Sequence, residues 1–174
     1  MPLIPLPPDE AERLLALRRS GLLETASNER LDAIVHRAAM LFNMPIAAIS
    51  LIDDTRQVFK SSVGLGLPYS SRDLSFCGYT ILGTEPMVVA DPRHDARFAD
   101  NPHVRGAPGI RFYVGAPVYG PGDHAFGALC VMDTRDAPAV TAAQLAALHE
   151  MADEVSAIFA APPPPFDLKV DRFL

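Results

Sequence analysis

"IRFYVGAPVYGPGDHAFGALCVMD", residues 110–133, is the stretch of sequence that decides the fold. Residues 110–118 and 125–133 are apolar segments of strand length, and the "YGPGDH" between them has the glycine, proline and aspartate of a tight turn. The pattern predicts an antiparallel hairpin. Gly115 and Gly127 lie inside its strands, which indicates that another group approaches the backbone closely at both positions.

A second hairpin is predicted upstream. "PIAAISLID" (45–53) is apolar throughout, and the Asp-Asp-Thr-Arg that follows its isoleucine is typical of a turn. "QVFKSSVG" (57–64) then alternates, which predicts that Phe59, Ser61 and Val63 share one face of a half-exposed strand.

The middle of the chain mixes short elements with loops. Residues 64–71 are rich in glycine, proline and serine and predict a loop, and residues 73–82 predict a short helix. "MVVAD" (87–91) predicts a strand. Residues 91–108 are dense in Asp, Asn, Pro and Arg, so we expect a loop with one helical turn at 95–99.

Three amphipathic helices accompany the strands, each with apolar residues at spacings of three and four. Capping boxes are predicted at Asp9 with Glu12 and at Thr141 with Gln144. The expected limits are Asp9 to Gly21, Ser27 or Asn28 to Asn43, and Thr141 to the prolines at 162–165.

Hairpins dominate this order of elements, so we predict an α+β fold. A central antiparallel sheet carries the N- and C-terminal helices on one face, with loops and short helices over the other. Loops over a sheet commonly enclose a small-molecule cavity. Residues 1–8 are expected to form an extended arm, residues 9–160 the domain, and residues 161–174 a proline-rich tail.

Composition excludes several classes of function. The chain has 174 residues, 49% of them hydrophobic, and a formal net charge of −6 without a basic run, which argues against nucleic acid as a partner. Its two cysteines are too few for a disulfide framework or a four-cysteine zinc site. No run approaches the ~18 apolar residues of a membrane span, and the start does not read as a secretory signal. We therefore expect a cytoplasmic protein that does not bind membranes.

At this point the sequence resembles a known family. The segments that carry the resemblance are "LDAIVHRAAMLFNMPIAAISLIDDTRQVFKSSVGL", "RDLSFCGYTI", "VVADPRHDARFADNPHV", "IRFYVGAPV" and "AFGALCVMD". In this order they resemble a GAF domain, most closely the GAF modules of bacterial sensor histidine kinases and cyclic-di-nucleotide signalling enzymes. The resemblance implies a ligand pocket on the open face of the sheet and, from the terminal helices, a homodimer.

Cys77, in "SFCGYT" (75–80), allows three interpretations. As a redox nucleophile, it would need a cation such as Arg72 to lower its pKa and Cys130 as resolving partner, in the manner of the free methionine sulfoxide reductases of the GAF family. As a chromophore anchor it would resemble the bilin-binding branch, where a histidine commonly follows the cysteine; here Gly78 follows. As a small hydrophobe it would line the pocket, which is the interpretation we adopt.

The remaining candidates surround the same pocket. Asp91 with His94 and Asp95 could bind a metal, but these residues also suit turns and caps. Alternation places Tyr113 with Arg111 on the pocket face and Ile110 with Phe112 on the other. The resemblance adds arginines 93 and 97 as contacts for an anionic ligand. The predicted ligand-binding residues are Arg72, Phe76, Cys77, Asp91, Arg97, Phe98, Arg111 and Tyr113.

The function expected from these residues is that of a stand-alone, non-catalytic GAF sensory or regulatory domain. It would bind a small molecule or a signalling partner protein. The alternatives are a methionine sulfoxide reductase-like enzyme using Cys77 and a ligand-free dimerisation scaffold. The ligand stays open among cyclic nucleotide, amino acid, haem and none, because fold does not fix function.

Overall fold

The computed structural model of the protein describes residues 3–161. Three long helices, two short ones and six strands follow one another along the described chain. They are α1 (Glu10–Arg19), α2 (Glu29–Phe42), β1 (Ile46–Ile52), β2 (Arg56–Val63), β3 (Tyr69–Ser71), α3 (Cys77–Thr80), β4 (Met87–Val89), α4 (Pro102–Arg105), β5 (Phe112–Tyr119), β6 (Ala125–Asp133) and α5 (Ala142–Ala160). Two 3₁₀ turns, Arg72–Leu74 and Pro92–His94, precede α3 and α4.

The six strands form one antiparallel sheet in the order β3-β2-β1-β6-β5-β4. The two predicted hairpins are β1–β2 and β5–β6, and they are joined by pairing between β1 and β6. Helices α1, α2 and α5 lie on one face, and α3 and α4 with their loops lie on the other. The predicted α+β architecture is confirmed. No helix within residues 3–161 has both the length and the apolar character that crossing a membrane requires.

The junction between the two hairpins leaves no room for a side chain at Gly127. A Cβ atom there would lie 1.7 Å from the carbonyl oxygen of Ser50 on β1. The close approach expected at Gly127 is therefore made by the neighbouring strand itself, and it lets β1 and β6 pair over six residue positions.

Both faces of the sheet carry buried residues, but the two faces differ in chemistry. The helix-covered face is mostly aliphatic. Its strand residues include Ala47, Ile49, Leu51, Phe112, Val114, Ala116, Val118, Leu129 and Val131. The face beneath the short helices carries rings and sulfur atoms, with Phe76, Phe98, Tyr113, Cys77, Cys130 and Met132 in one cluster. Any ligand site on that face is thus set in aromatic and sulfur-containing walls.

A β-bulge changes the predicted face of one strand. The register of β1 against β2 shifts between Ile49 and Ser50, so Lys60 is the extra residue. Phe59 packs on the α3 face, whereas Ser61 donates a 2.5 Å hydrogen bond to Asp32 of α2 on the other. The prediction that Phe59 and Ser61 share a face is wrong, because a bulge reverses the alternation beyond it.

The helix limits follow local capping with one exception. Asn28 accepts a hydrogen bond from the amide of Leu31, and Thr141 with Gln144 forms the predicted capping box. Asp9 stands at the start of α1 but makes no capping bond; its carboxylate instead contacts Nδ1 of His124 at 2.6 Å. The first predicted capping box is wrong because this tertiary contact takes the carboxylate. The prolines predicted to end α5 lie outside the described residues.

Several short elements differ from the expectation. The predicted loop 64–71 contains the edge strand β3, and the predicted helix 73–82 is divided into a 3₁₀ turn and α3 by extended backbone at Ser75. The single helical turn expected at 95–99 is present, since the amides of Phe98 and Ala99 donate to the carbonyl oxygen of Asp95 at 2.9 and 2.8 Å, but it does not extend into a helix. Elements of three or four residues give too few periodic positions for sequence to identify.

A buried ionic network fixes α1 to the sheet. The Arg13 side chain is fully buried and donates to Glu10 at 2.8 Å and to the carbonyl oxygen of Ile52 at 2.7 Å. Arg72, also buried, donates to the same Glu10 carboxylate at 2.5 Å and to the carbonyl oxygen of Asp53 at 2.9 Å. Glu10 thus compensates two buried guanidinium groups. Burial by itself would raise the pKa of Glu10, but the bonds from Arg13 and Arg72 outweigh it and hold the pKa below its ordinary value.

Replacing Gly127 by Ala should destabilise the protein by about 3 kcal/mol, because the added methyl group overlaps the β1 backbone and neither strand can yield alone. Urea denaturation followed by circular dichroism measures the loss. Gly83→Ala is the matched control, since nothing lies within 4 Å of the position that its Cβ atom would take, and its free energy of unfolding should change by less than about 0.5 kcal/mol. Equal stability of the two variants would contradict the close approach.

Glu10→Gln should lower stability by about 3 kcal/mol at neutral pH, because it leaves two buried cations without their carboxylate. The folded-state pKa of Glu10 is depressed, so its contribution is complete well above the unfolded value of about 4.3 and disappears as the pH falls through the folded value. Denaturation of wild type and variant from pH 7 to pH 3 should therefore show converging stabilities. Glu12→Gln, at an exposed position of the same helix, is the control. If the difference in stability between wild type and Glu10→Gln grew on acidification, the ionised Glu10 carboxylate would not be stabilising.

Candidate functional site

A cavity of about 390 Å³ opens on the sheet face opposite α2 and α5. Its wall comes from β1, β2, β5 and β6, from the segment 64–70, and from the turns that carry α3 and α4. The lining residues are Ile46, Gln57, Phe59, Gly64, Leu65, Gly66, Leu67, Ser70, Leu74, Ser75, Phe76, Cys77, His103, Ala107, Pro108, Ile110, Tyr113 and Met132. Within residues 3–161, this wall holds no Asp, Glu, Lys or Arg.

Tyr113 of β5 forms part of the cavity floor, and its position depends on Gly115. A Cβ atom at Gly115 would lie 2.2 Å from the Tyr113 hydroxyl oxygen, so the tyrosine ring lies along its own strand over the glycine. The close approach predicted at Gly115 is confirmed. Because the ring lies along the strand, its hydroxyl group reaches α3 and lies 2.6 Å from Oγ1 of Thr80.

A stack of three aromatic rings holds the mid-chain loops against the sheet. The ring of Phe76 lies 4.1 Å from that of Phe98, nearly parallel at 8°, and 5.1 Å from that of Tyr113 at 28°. Offset stacking of buried rings adds to their area of burial. Phe98 thus anchors the 95–101 segment behind Phe76, while Phe76 and Tyr113 face the cavity.

Cys77, the first residue of α3, lies at the junction of wall and floor. Its sulfur atom is 3.7 Å from that of Cys130 on β6, and the Tyr113 hydroxyl donates to it at 3.3 Å. Both cysteines are free thiols, and both are buried. Thr80 completes a chain of polar groups: its hydroxyl oxygen lies 2.6 Å from that of Tyr113, a contact in which either group can donate, and the Tyr113 hydroxyl donates to Cys77.

The two thiols have opposite tendencies to ionise. Burial opposes ionisation of Cys77, but the uncharged polar side chains around its sulfur, first Cys130 and then Ser50, Tyr113 and Gln57, hold its pKa below the ordinary value for a thiol. Its bond to Cys77, together with burial, raises the pKa of Cys130 well above that value. The Tyr113 hydroxyl donates to the Cys77 sulfur, and this contact favours the thiolate form of Cys77.

The polar groups of the wall are few and neutral or nearly so. The Ser70 hydroxyl lies 3.4 Å from Oε1 of Gln57, and Ser75 accepts a bond from the amide of Gly78. The half-buried His103 adds an imidazole from α4. These side chains can orient a ligand by hydrogen bonds, but among them only the imidazole can carry a charge at neutral pH.

Three of the eight predicted binding residues line the cavity: Phe76, Cys77 and Tyr113. Phe98 lies directly behind Phe76, as the stacking shows. Arg72 is on the far side of this segment, where Glu10 and the Asp53 carbonyl group occupy one of its terminal nitrogens. Its expected role beside the Cys77 thiol is not seen: the groups that contact the thiol are uncharged donors.

Asp91 and Arg97 are placed outside the cavity wall, in local ion pairs. Asp91 accepts from the side chain of Arg93 at 2.8 Å, and Arg97 pairs with Asp95 at 2.6 Å while lying 5.0 Å from the centre of the Phe98 ring. Hydrogen bonds from the Arg93 guanidinium hold the pKa of Asp91 far below its ordinary value. In the described part of the chain, no three ligating side chains gather into a metal site, at this turn or elsewhere.

Arg111 and Ile110 exchange the faces predicted for them. Arg111 donates to the carbonyl oxygen of Val104 at 2.9 Å and so fastens α4, without lining the cavity, whereas Ile110 lines it. The prediction for this pair is wrong because β5 begins at Phe112, and alternation does not extend to residues before the strand.

Most of the wall was not identified from the sequence. Gln57 and Phe59 could have been found, since both alternate with the helix-facing Val58. Leu65 and Leu67 had a weaker signal, apolar residues within a glycine-rich loop. His103 and Pro108 had none, because only the tertiary fold brings α4 over the sheet.

The comparison with known families agrees with this geometry. A sequence model described as the GAF domain matches residues 27–159. The chain belongs to the GAF domain family. The resemblance seen in the sequence is thereby confirmed, and the sheet with helices on one face and a cavity on the other is the arrangement that the resemblance implied.

Individual relatives extend the comparison. The chain is 44% identical over 129 residues to a cyclic di-GMP phosphodiesterase of Pseudomonas aeruginosa, an alignment that spans 74% of this chain but 22% of that protein. The structure is similar to the GAF region of a Geobacter sulfurreducens membrane protein (TM-score 0.58, 18% identity, 84% of this chain and 95% of that one). It is also similar to a type II free methionine-R-sulfoxide reductase of Thermoplasma acidophilum (TM-score 0.62, 13% identity, 79% and 94%). At such identities, the two structures share the fold with this chain.

Proposed function

We propose that this GAF domain is a sensory module that binds an uncharged, largely apolar small molecule in the cavity over its sheet. The observation that carries the proposal is the combination of a 390 Å³ volume with a wall free of carboxylate, ammonium and guanidinium groups. Volumes of this order are typical of small-molecule sites.

The chemistry of the wall favours a flat apolar ligand with one polar edge. Phe59, Phe76 and Tyr113 offer ring surfaces, and Leu65 and Leu67 supply aliphatic cover. A ring system of the ligand would gain from stacking on these side chains. Gln57, Ser70 and His103 supply donors and acceptors that would fix its orientation.

Charged ligands fit the wall less well. A phosphate transferred from water needs cations or several aimed N–H donors to replace its hydration. The arginines nearest to this role, Arg72, Arg97 and Arg111, are bonded to Glu10, to Asp95 and to a backbone carbonyl group. The same reasoning disfavours a cyclic nucleotide and a zwitterionic amino acid, and it supports a neutral ligand in place of the anion expected from the sequence.

The activity in the name of the Pseudomonas relative is not proposed for this chain. The aligned part is 22% of that protein, so the comparison concerns its GAF region. A non-catalytic sensor is favoured because the wall formed by the described residues is mostly apolar and has no carboxylate, ammonium or guanidinium group. The same proposal includes an output, which passes through a partner protein or through a homodimer of the terminal helices. Met40 of α2, an apolar side chain that is 80% exposed, offers a contact for either.

Filling the cavity should abolish binding. Ser70→Phe places a ring in the cavity from half-buried β3, and Ser71→Phe places the same ring on the exposed side of the same strand. A neutral solvatochromic dye, prodan, should bind wild type and Ser71→Phe with a blue-shifted emission. We expect its dissociation constant to rise about tenfold or more in Ser70→Phe, equivalent to about 1.4 kcal/mol. Equal binding by the two variants would show that the dye does not use the cavity.

The chain should not reduce free methionine-R-sulfoxide. That substrate carries an ammonium and a carboxylate group, and the wall offers neither a counter-charge nor a group of aimed donors for them. Incubation with the sulfoxide and dithiothreitol, followed by chromatographic measurement of methionine, should give no more product than a protein-free blank. Multiple turnovers by wild type that are lost in Cys77→Ala would contradict the non-catalytic proposal.

A further inference from the structure

Cys77 and Cys130 have no part in the binding function proposed above, yet the fold brings them together. They are 53 residues apart in sequence and their sulfur atoms are 3.7 Å apart. A disulfide requires about 2.05 Å between the sulfur atoms, so an approach of less than 2 Å would join them.

Polar groups converge on one of the two sulfur atoms. The Tyr113 hydroxyl donates to Cys77 at 3.3 Å, and the Thr80 hydroxyl lies 2.6 Å from that of Tyr113. The Ser50 hydroxyl, buried in β1, has no hydrogen-bond partner within residues 3–161. Neutral donors around a buried sulfur stabilise its thiolate, which is the form that reacts as a nucleophile.

Only one of the two cysteines faces the cavity. Cys77 is part of the wall, whereas Cys130 lies beneath it on β6 and does not line it. A reagent entering the cavity thus meets Cys77 first, with Cys130 held behind as the group that can react with the modified sulfur. This order follows from position and does not depend on the charge of any residue.

We propose that Cys77 and Cys130 form a thiol–disulfide switch that a small organic hydroperoxide sets from inside the cavity. The Cys77 sulfur attacks the terminal oxygen of the hydroperoxide; the O–O bond breaks, the thiol proton goes to the leaving alkoxide, and Cys77 becomes a sulfenic acid while the peroxide becomes an alcohol. Cys130 then attacks the Cys77 sulfur, its own proton leaves with the hydroxide as water, and the S–S bond forms. Overall, two thiols and one hydroperoxide give one disulfide, one alcohol and one water.

The disulfide would change the floor of the cavity. Drawing the Cys77 sulfur towards Cys130 on β6 would shift the start of α3, and Phe76 immediately precedes that helix. Binding in the cavity should therefore differ between the thiol and disulfide forms. This last consequence rests on the proposed function, whereas formation of the disulfide does not.

The test is intact-protein mass spectrometry of the full chain treated with cumene hydroperoxide at a few molar equivalents. Wild type should lose about 2 Da, carry a Cys77–Cys130 linkage in its peptide map, and regain both thiols with dithiothreitol. Cys130→Ser should stop at a sulfenic acid on Cys77 that dimedone traps. Cys77→Ser and Cys77→Ala should leave Cys130 unmodified at the same dose, because Cys130 does not face the cavity.

Tyr113→Phe separates positioning from mere packing. The variant keeps the ring and its stacking but removes the hydroxyl that donates to Cys77, so disulfide formation should slow about tenfold while the urea midpoint stays nearly unchanged. Circular dichroism verifies that each variant is folded. A wild type that keeps both thiols, or a Cys130 oxidised equally fast in Cys77→Ala, would overturn the proposal.

The outcome is distinguishable from that of the binding proposal. If prodan binds but no disulfide forms, the binding proposal is supported and the thiol–disulfide switch is overturned. Disulfide formation without prodan binding would establish the switch in a chain whose cavity does not take neutral ligands. Repeating the dye titration on the oxidised protein then measures the coupling, which we expect as a change of about threefold or more in dissociation constant.

Discussion

The pairing of β1 with β6 is the contact on which the remaining structure depends. Each hairpin alone would be a two-stranded ribbon, which is marginally stable in water. The two ribbons become one sheet because Gly127 leaves its Cβ position to the carbonyl oxygen of Ser50. The joined sheet is wide enough to support α2 and α5 on one side and the cavity on the other. The stability of the sheet and the presence of the cavity thus both depend on the absence of a side chain at Gly127.

The chemistry of the cavity follows from where charge is placed in this fold. The buried cations Arg13 and Arg72 are compensated by Glu10 at the edge of α1, and Arg97 and Arg93 are paired on the surface. Few ionic groups are left to face the cavity, so its wall consists of rings, aliphatic chains, thiols and a few neutral donors. We therefore propose that this GAF domain selects its ligand by shape and stacking. Because charged groups are lacking here, the Cys77 sulfur is contacted by an uncharged donor, the Tyr113 hydroxyl.

The sequence predicted what short-range rules control. Alternation and turn residues gave both hairpins, and the caps at Asn28 and Thr141 gave two helix starts. Two of the failures trace to contacts between distant residues. The bulge at Lys60 is a property of the pairing with β1, and Asp9 is diverted by His124, 115 residues away. Prediction of the site was weaker than prediction of the fold, since the wall is assembled from segments with no shared periodicity.

By itself, the sequence determined the class of elements, their order and the family, because these depend on patterns repeated over ten or more neighbouring residues. It also identified Phe76, Cys77 and Tyr113 as cavity residues. Only the tertiary structure decided that the arginines of this region are engaged elsewhere and that Cys77 meets Cys130. The physical reason is that charge pairing and thiol proximity depend on short distances between segments far apart in the chain, 2.5 Å from Arg72 to Glu10 and 3.7 Å from Cys77 to Cys130. Such distances exist only once the two hairpins have joined.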